Sequence, residues 1–256
     1  MQVLVDVGNT RIKWALYDGK QLAQHGSAVH RGGVDAALQT FARALPRELT
    51  RVVVANVAGD ALERALRAAV GSRAVDFVAT SAERFGVRCA YAEPQRLGVD
   101  RWVAVLAAHT LAAGAACVID AGTAVTFDAV AADGEHLGGL ILPGARLLAS
   151  SLDRNTNNIG ATPVPAAVPK GLALLGRDTA GAVGHGAMLA LAAALDRAVR
   201  TVAAGLGAAP RVYLAGGDAA SLREWLETKV EPRADLVLEG LALFAAEHAS
   251  PQTKGR

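Results

Sequence analysis

Near the start of the chain, apolar residues stand at every second position, which is the period of a β-strand. They are Val3, Val5 and Val7 and, after the Gly8-Asn9 pair, Ile12, Trp14 and Leu16. The dipeptide Asp18-Gly19 follows, and Asp-Gly is typical of tight hairpin turns. The pattern predicts a β-hairpin at the start of the chain.

Further along, stretches with helical spacing of apolar residues alternate with short apolar runs. This alternation predicts an α/β fold. A long segment rich in Asn and Pro, Asn155–Lys170, is predicted to be a loop, and Ser250–Arg256 a frayed tail. Predicted helices cover 34–45, 62–69, 101–111, 145–152, 181–206 and 236–248, and predicted strands cover 52–55, 75–78, a pair within 117–130 around Gly122, and 211–214.

Two strand ends carry the same short pattern of an acidic residue, a glycine and small polar residues. They are Asp6-Val-Gly-Asn-Thr10 and Asp120-Ala-Gly-Thr-Ala124. They lie a little under half the chain apart, so they predict two similar α/β lobes, residues 1–114 and 115–256, with a central cleft. We name these segments the Asp6 turn (Asp6–Lys13) and the Asp120 turn (Asp120–Ala124).

The residue types of the Asp6 turn suit a polyphosphate. A carboxylate at a strand end binds Mg²⁺ directly or through water. Gly8, Asn9 and Thr10 offer backbone N–H groups and polar side chains to phosphate oxygens, and Lys13 adds a positive charge nearby. Alone, the segment is equally typical of an ordinary hairpin turn, and the second copy at Asp120 favours phosphate chemistry. Ala215-Gly-Gly-Asp218 is a third glycine turn after a strand. Alone it is more typical of an ordinary turn, but a cleft for ATP also needs a glycine surface for the nucleoside.

A further candidate is Asp100-Arg101, at the start of a predicted helix. Asp at such a position is commonly an N-cap, and position alone favours that interpretation. As an alternative, the carboxylate accepts the proton of an attacking hydroxyl, and the guanidinium binds a substrate carboxylate through a forked contact.

Composition excludes several function classes. Of the 256 residues, 52% are hydrophobic and 20% charged, and the formal net charge is +2. Aromatic residues make up only 4% and no basic run is dense, so a nucleic-acid partner is not expected. The phosphate loop, dinucleotide fingerprint and zinc-protease patterns are absent from the sequence. Cys89 and Cys117 are predicted to be buried thiols of a reducing compartment. Neither a signal peptide nor a membrane span is predicted, so we expect a cytoplasmic protein.

The quoted patterns, taken together, resemble type III pantothenate kinase over most of the chain, from Val3 to Gly217. The resemblance implies two ribonuclease-H-like lobes of the actin-like ATPase fold. It also implies phosphorylation of pantothenate by ATP, the first step toward coenzyme A. The patterns that carry it are Asp6-x-Gly-Asn-Thr, Tyr91…Pro94…Leu97-Gly98-x-Asp100-Arg101, Asp120-x-Gly-Thr-Ala, Ile141-x-Pro143-Gly144 and Thr179-Ala180…Gly184.

The resemblance also implies a role for each matching residue. Asp100 would be the general base, Asp120 would bind a monovalent cation (K⁺ or NH4⁺), and Asp6 would bind Mg²⁺. Thr179 would reach pantothenate from the second subunit of a homodimer that shares its active sites. ATP would be bound by Asp6, Val7, Gly8, Asn9, Thr10, Arg11, Ile12, Lys13 and Thr123, and pantothenate by Tyr91, Gly98, Val99, Asp100, Arg101 and Thr179.

Some alternatives remain at this stage. The chain could be another small-molecule kinase of the same superfamily, or a non-catalytic ATP-binding regulator, which would need no base at Asp100. The Ala-rich helix at 181–206 fits dense internal packing as well as a dimer interface. The nucleotide turn begins with Ala215, where the family often has a hydroxyl residue, and the segment 155–170 matches no family pattern.

Overall fold

The predicted hairpin at the start of the chain forms the middle of a mixed sheet. β1 (Gln2–Val7) pairs antiparallel with β2 (Arg11–Tyr17) and parallel with β4 (Arg51–Asn56). β3 (Leu22–Val29) pairs antiparallel with β2 at one edge, and β5 (Ala74–Phe77) pairs parallel with β4 at the other. The strand order is therefore β3-β2-β1-β4-β5.

A second sheet repeats this arrangement. β8 (Ala116–Ala121) pairs antiparallel with β9 (Ala124–Val130) and parallel with β11 (Arg211–Ala215). β10 (His136–Pro143) and β12 (Glu231–Pro232) complete the order β10-β9-β8-β11-β12. Strand for strand, order and direction match those of the first sheet. The duplication predicted from the two Asp-x-Gly turns is thus present in the backbone.

The computed structural model describes residues 1–155, 160 and 162–247. The described chain falls into two units. Of the described residues, one unit holds 1–110 and 235–247, and the other holds those between 111 and 234. The last helix, α7 (Leu236–Glu247), therefore packs with the first unit, against β1 and β4. The predicted division into 1–114 and 115–256 did not anticipate this return of the chain.

Apolar faces explain why these elements pack as they do. Val3, Val5 and Val7 alternate along β1 and lie in one cluster with Phe41 and Leu66 from two helices. All five side chains are at most 1% exposed. Each contributes about 1.5–3 kcal/mol by its burial. The remaining elements of the first unit are α1 (Val34–Ala44), α2 (Asp60–Val70), β6 (Glu83–Arg84), β7 (Val87–Arg88), a 3-10 turn (Pro94–Arg96) and α3 (Val99–Ala112).

The second unit builds its core around one long helix. α5 (Thr179–Leu206) begins at the N-cap Asp178, whose carboxylate accepts the N–H of Gly181 at 2.7 Å. It ends at Gly207, which takes the left-handed conformation. The other elements are α4 (Ala145–Asn155), a 3-10 turn (Gly171–Leu174) and α6 (Ala219–Trp225).

Most predicted elements are confirmed within two or three residues. Two predictions lie wholly or partly outside the described residues: the tail Ser250–Arg256, and the part of the loop Asn155–Lys170 at 156–159 and 161. The described part of that loop has no helix or strand beyond the last residue of α4. Within the described ranges, no helix combines the length and apolarity that crossing a bilayer requires.

Candidate active site

The Asp6 turn connects β1 to β2 and is closed by a backbone hydrogen bond between two of its own residues. Asp6 lies opposite Lys13 in the strand pair. The N–H of Gly8 donates to the carbonyl of Arg11 at 3.1 Å. This N–H is therefore used within the turn, which corrects the prediction that Gly8 offers it to a phosphate. Gly8 contributes a compact turn rather than a donor.

Two residues predicted at the ATP site have side chains that belong to the core. Val7 is 1% exposed and Ile12 is fully buried. These two side chains therefore do not contribute to a ligand site. Arg11 is exposed, and its guanidinium donates to the hydroxyl of Ser27 at 2.9 Å.

His30 is a neighbour of the Asp6 turn that the sequence analysis did not single out. It follows β3 and is only 7% exposed. Its ring Nε2 lies 2.7 Å from the carbonyl oxygen of Gly8, and its backbone N–H donates to the carbonyl of Thr10 at 3.0 Å. The histidines looked scattered in sequence, and no local pattern marks a contact across 22 residues.

The structure brings together the five residues predicted around the start of α3, which are Tyr91, Gly98, Val99, Asp100 and Arg101. The guanidinium of Arg101 donates to the hydroxyl of Tyr91 at 3.2 Å and lies 6.0 Å from the centre of its ring. Arg101 is 7% exposed. The predicted forked cation is therefore held in a fixed position by a partner ten residues away. Val99 is 8% exposed, so its side chain packs inward.

Asp100 is not the N-cap of α3, because the helix begins one residue before it, at Val99. One carboxylate oxygen accepts the N–H of Arg101 at 2.7 Å. A Cβ on Gly98 would lie 2.7 Å from that same oxygen, so glycine leaves the space that this carboxylate occupies. The carboxylate therefore bonds to a backbone N–H from within the first turn of α3 and not from the N-cap position.

The Asp120 turn has the same construction in the second unit. Asp120 lies at the end of β8, opposite Thr126 on one side and Ala215 on the other. The N–H of Gly122 donates to the carbonyl of Ala124 at 3.1 Å. In the Asp6 turn the donor and acceptor of this hydrogen bond are three residues apart, and in the Asp120 turn they are two apart. The two backbones are therefore related but not identical.

Two glycines let neighbouring chain approach the Asp120 turn. A Cβ on Gly144 would lie 2.4 Å from the carbonyl oxygen of Gly122, and the N–H of Gly144 donates to the carbonyl of Thr123 at 2.9 Å. Gly216 has φ +97°, and a Cβ there would lie 2.3 Å from the carbonyl oxygen of Ala121. Three turns therefore converge at one edge of the second sheet.

An ion pair joins two of these turns. Arg146, at the start of α4, donates to both carboxylate oxygens of Asp218, at 2.7 Å to Oδ2. Both residues line a small cavity beside Gly122, together with Pro165 and Ser221. This cavity lies next to the third glycine turn, where the sequence predicted a surface for a nucleoside.

Thr179 lies elsewhere in the second unit. It is the first residue of α5 and lines an open groove of about 790 Å³ between α4 and α5. Apart from Arg177 and Asp178, the rest of that lining is small or apolar and includes Leu152, Ala182 and Gly186. Thr179 and the Asp120 turn line different cavities of this unit.

The two cysteines are both free thiols, as predicted, but only Cys117 is buried. Cys89 is half-buried, which corrects the prediction of burial for that residue. Cys117 lies in β8 and is fully buried, and this burial raises the pKa of its thiol to about 12. It is inert at neutral pH.

The donors at the two turns suit hard cations. Among the described residues, no three or more His, Cys, Asp or Glu side chains gather in a group that would hold a metal by itself. Mg²⁺ commonly uses one or two carboxylates together with substrate phosphates and water. A single carboxylate at the end of β1, Asp6, fits that mode. Asp120, beside the carbonyl groups of its own turn, offers oxygen ligands of the type that a monovalent cation takes.

Comparison with known proteins gives a consistent result. The model of the family described as type III pantothenate kinase matches residues 2–201. The type III pantothenate kinase of Chromobacterium violaceum is 42% identical over 96% of this chain and 99% of its own length. Those of Aromatoleum aromaticum and Nitrosococcus oceani are 41% and 37% identical, over 98% and 96% of this chain and 100% and 94% of their own lengths.

Solved structures show the same fold at lower identity. A 2-dehydro-3-deoxygalactonokinase from Sinorhizobium meliloti has a TM-score of 0.58 at 17% identity, covering 98% of this chain and 100% of its own. The activator of a 2-hydroxyisocaproyl-CoA dehydratase from Clostridium difficile has a TM-score of 0.54 at 12% identity, covering 100% of this chain and 98% of its own. These likenesses support the two-lobed, actin-like ATPase fold that the sequence predicted.

Proposed function

The chain belongs to the type III pantothenate kinase family, and from this premise we propose how its residues carry out the reaction. The reaction is ATP-dependent phosphorylation of pantothenate to 4'-phosphopantothenate, the first step of coenzyme A biosynthesis. The structural observation that supports it best is the cluster at the start of α3. There a buried Arg101 bonded to Tyr91 lies next in sequence to Asp100, a carboxylate in the first turn of α3.

Asp100 is the general base of this proposal. The primary hydroxyl of pantothenate is a weak nucleophile until a base accepts its proton. One oxygen of Asp100 accepts the N–H of Arg101, and this bond fixes the orientation of the carboxylate. The carboxylate accepts the hydroxyl proton as the pantothenate oxygen bonds to the γ-phosphorus of ATP and the bond from that phosphorus to ADP breaks, so that ADP leaves.

Arg101 and Tyr91 bind pantothenate, with Gly98 and the backbone of Val99 beside them. Pantothenate carries a carboxylate, and a guanidinium binds carboxylates through paired N–H donors. Because Arg101 is already held by Tyr91, less conformational entropy is lost when the substrate binds.

The Asp6 turn, with Thr123, binds the phosphates of ATP. Asn9, Thr10, Arg11 and Lys13 supply polar and positive groups for the phosphate oxygens, and Asp6 holds Mg²⁺. When bound, Mg²⁺ neutralises the phosphate charge that increases during transfer. The chain's own contribution is to position the phosphates, which is most of what phosphoryl transfer requires.

Asp120 holds a monovalent cation, K⁺ or NH4⁺, in this proposal. It ends the strand β8 as Asp6 ends β1, which supports related roles for the two carboxylates. The ion would add a positive charge near the phosphates without the strong coordination geometry of a divalent cation.

A homodimer that shares its active sites explains the position of Thr179. Exposed apolar side chains in the second unit surround α4 and α5 and would be covered by a second copy of the chain. The small residues of the groove allow close helix approach. The exposed large apolar residues of α4, of α5 and of the described segment just before α5 are Leu147, Leu152, Val168, Leu172, Leu175 and Leu189. A cytoplasmic location is proposed because ATP is the phosphate donor and both thiols are free.

One coupled assay tests the function directly. Purified chain is mixed with ATP, Mg²⁺, K⁺ and pantothenate, and ADP release is followed. We expect ADP to form only with pantothenate present, with similar rates in K⁺ and NH4⁺ and a much lower rate in Na⁺. A panel of sugars and small hydroxy acids replaces pantothenate in parallel. Turnover of one of these instead of pantothenate would contradict the proposal, as would ADP release with no acceptor at all.

A further inference from the structure

We propose that His30 is a positioning residue of the kinase reaction, which orients two peptide units of the Asp6 turn for the phosphates of ATP. This inference rests on the proposed function, in which that turn binds ATP. It extends the site to a residue outside the family patterns that the sequence carries. His30 does not touch the substrates in this role, because it acts through the backbone of Gly8 and Thr10.

Two bonds link His30 to opposite ends of the turn. Its ring Nε2 lies 2.7 Å from the carbonyl oxygen of Gly8. Its backbone N–H donates to the carbonyl oxygen of Thr10 at 3.0 Å, and the N–H of Arg31 donates to the same oxygen at 3.4 Å. The histidine is 7% exposed, so these bonds form largely out of contact with water.

Because a peptide unit is planar, a contact that orients its carbonyl group also orients the N–H group of the same unit. In a trans peptide unit the C=O and the next residue's N–H point in opposite directions within one plane. Holding the Gly8 carbonyl therefore sets the direction of the Asn9 N–H, and holding the Thr10 carbonyl sets that of Arg11. Both N–H groups point away from His30. Oriented backbone N–H groups are the elements of an anion site.

The chemistry of the contact defines the proton position on the ring. A carbonyl oxygen only accepts hydrogen bonds, so Nε2 of His30 must carry the hydrogen. Both the neutral Nε2–H tautomer and the imidazolium satisfy this requirement. A side chain that places an amide N–H at the same distance from the backbone, such as glutamine, should replace the histidine in this contact.

The second unit has an equivalent of His30, and a different residue type occupies that position. Val29 pairs with Arg11 at the end of β3, and Pro143 pairs with Ala124 at the end of β10. The next residue is His30 in the first case and Gly144 in the second, and each donates its N–H to the turn, to Thr10 and to Thr123 respectively.

At Gly144 the backbone itself crowds the turn. A Cβ there would lie 2.4 Å from the carbonyl oxygen of Gly122, the equivalent of Gly8. In the first unit the chain is far enough away to leave room for a side chain, and the imidazole fills the space and bonds to that carbonyl. The equivalent carbonyl is thus contacted in both units, by backbone in one and by His30 in the other.

The test compares side chains that differ in their donor but not in their size. His30→Gln keeps an N–H donor, whereas His30→Met has a similar length and no donor, and His30→Phe keeps a ring of similar shape. KM for ATP, KM for pantothenate, kcat and melting temperature are measured for each. His25→Met is the matched control, since His25 lies in β3, the strand that His30 follows, and pairs with Asp235 at the surface.

We expect KM for ATP to rise several-fold to about tenfold in the Met and Phe variants, the change that corresponds to one hydrogen bond. The Gln variant should stay within about twofold of the parent, and so should KM for pantothenate in every variant. Two folded donor-free variants with the parental KM for ATP would overturn the inference. So would a Gln variant as impaired as the Met variant, or equal rises in KM for both substrates.

Asp6→Asn separates failure of this inference from failure of the proposed function. If Asp6→Asn raises KM for ATP but the donor-free His30 variants do not, the turn binds ATP and only the role of His30 is refuted. If Asp6→Asn leaves ATP use unchanged, the turn is not the phosphate site and both proposals fail.

Discussion

Arg101 donates a hydrogen bond to the hydroxyl of Tyr91 at 3.2 Å, and the guanidinium is almost completely buried. A buried cation needs acceptors, because burial without them is strongly unfavourable. The tyrosine therefore acts as part of the arginine site rather than as an independent contact. This relationship gives a first prediction for substrate affinity.

Tyr91→Phe should raise KM for pantothenate by about tenfold while KM for ATP changes little, since one hydrogen bond to a charged group contributes about 1.5–3 kcal/mol and part is recovered by rearrangement. Steady-state kinetics with each substrate varied in turn measures this. Tyr17→Phe is the control, because Tyr17 lies in β2 at the end opposite the Asp6 turn. Equal rises in both KM values would mean that the loss is structural.

Asp100→Asn should lower kcat by about 10²–10⁴-fold, the usual contribution of a general base, with ATP affinity nearly unchanged. The amide keeps the shape of the carboxylate and an oxygen to accept the Arg101 N–H, so the fold should be retained. Titration calorimetry with a non-hydrolysable ATP analogue and turnover assays measure the two quantities.

The control for that experiment is Asp60→Asn. Asp60 is an acidic residue in the first turn of α2, as Asp100 is in the first turn of α3. A helix-dipole effect would appear in both variants, whereas loss of a base appears only at Asp100. If the Asp100 variant turns over at the parental rate, another group is the base.

Gly216→Ala should destabilise the protein by about 2–4 kcal/mol, and Gly217→Ala by less than about 0.5 kcal/mol. Gly216 has φ +97°, and its Cβ would lie 2.3 Å from the backbone oxygen of Ala121, which has no flexible atoms to move away. Gly217 has open space where its Cβ would be. Urea unfolding of the two neighbouring variants is the measurement, and equal midpoints would contradict the predicted contact.

Much of the fold could be predicted because it is encoded locally. The alternation of residues 3–7 and 12–16 specifies the β1–β2 pair, and helical spacing specifies α1, α2 and α5. β3 was not predicted, because it is an edge strand whose side chains are mostly exposed and it has no apolar alternation. Its register shifts opposite Trp14–Leu16, and Gln24 has φ +47°, which further breaks the pattern.

The candidate site divides in the same way. Both Asp-x-Gly turns, and the segment from Gly98 to Arg101, are continuous in sequence and could be recognised there. The contacts of His30 with Gly8 and of Gly144 with Gly122 join residues about twenty positions apart. These contacts form where the chain leaves β3 and β10 and passes beside each turn. No local sequence pattern specifies that arrangement.

A mixed-dimer experiment tests whether two subunits share each active site. Thr179→Asp should inactivate the enzyme, because a carboxylate there repels the carboxylate of pantothenate, while an acidic residue is well tolerated at a helix N-terminus. Asp100→Asn is inactive for the separate reason given above. When equal amounts of the Thr179→Asp and Asp100→Asn chains are refolded together, half of the dimers contain one chain of each variant.

Each mixed dimer then has one site with both Asp100 and Thr179 intact. We expect about a quarter of the parental activity, from random pairing in a two-fold dimer. Size-exclusion chromatography checks that every sample is dimeric. A mixture no more active than its inactive parents would mean that Thr179 serves the site of its own chain or no site.

The buried thiol of Cys117 predicts how stability changes in alkali. Burial raises its pKa from the ordinary 9.0 to about 12 in the folded protein. A thiol whose pKa is raised by folding stabilises the fold fully below pH 9, where both states are protonated. Between pH 9 and 12 the unfolded chain loses this proton and the folded chain keeps it, so stability falls by about 1.4 kcal/mol per pH unit from this group.

Urea unfolding of the parent and of Cys117→Val between pH 8 and 10.5 measures that slope by difference, since other groups titrate equally in both. We expect the parent to lose stability more steeply above pH 9, whereas Cys89→Ser, at a half-buried position, should follow the parent. A thiol reagent at pH 8 should label Cys89 in the folded protein and Cys117 only after unfolding. Parallel stability curves for parent and Cys117→Val would show that the thiol keeps an ordinary pKa in the fold.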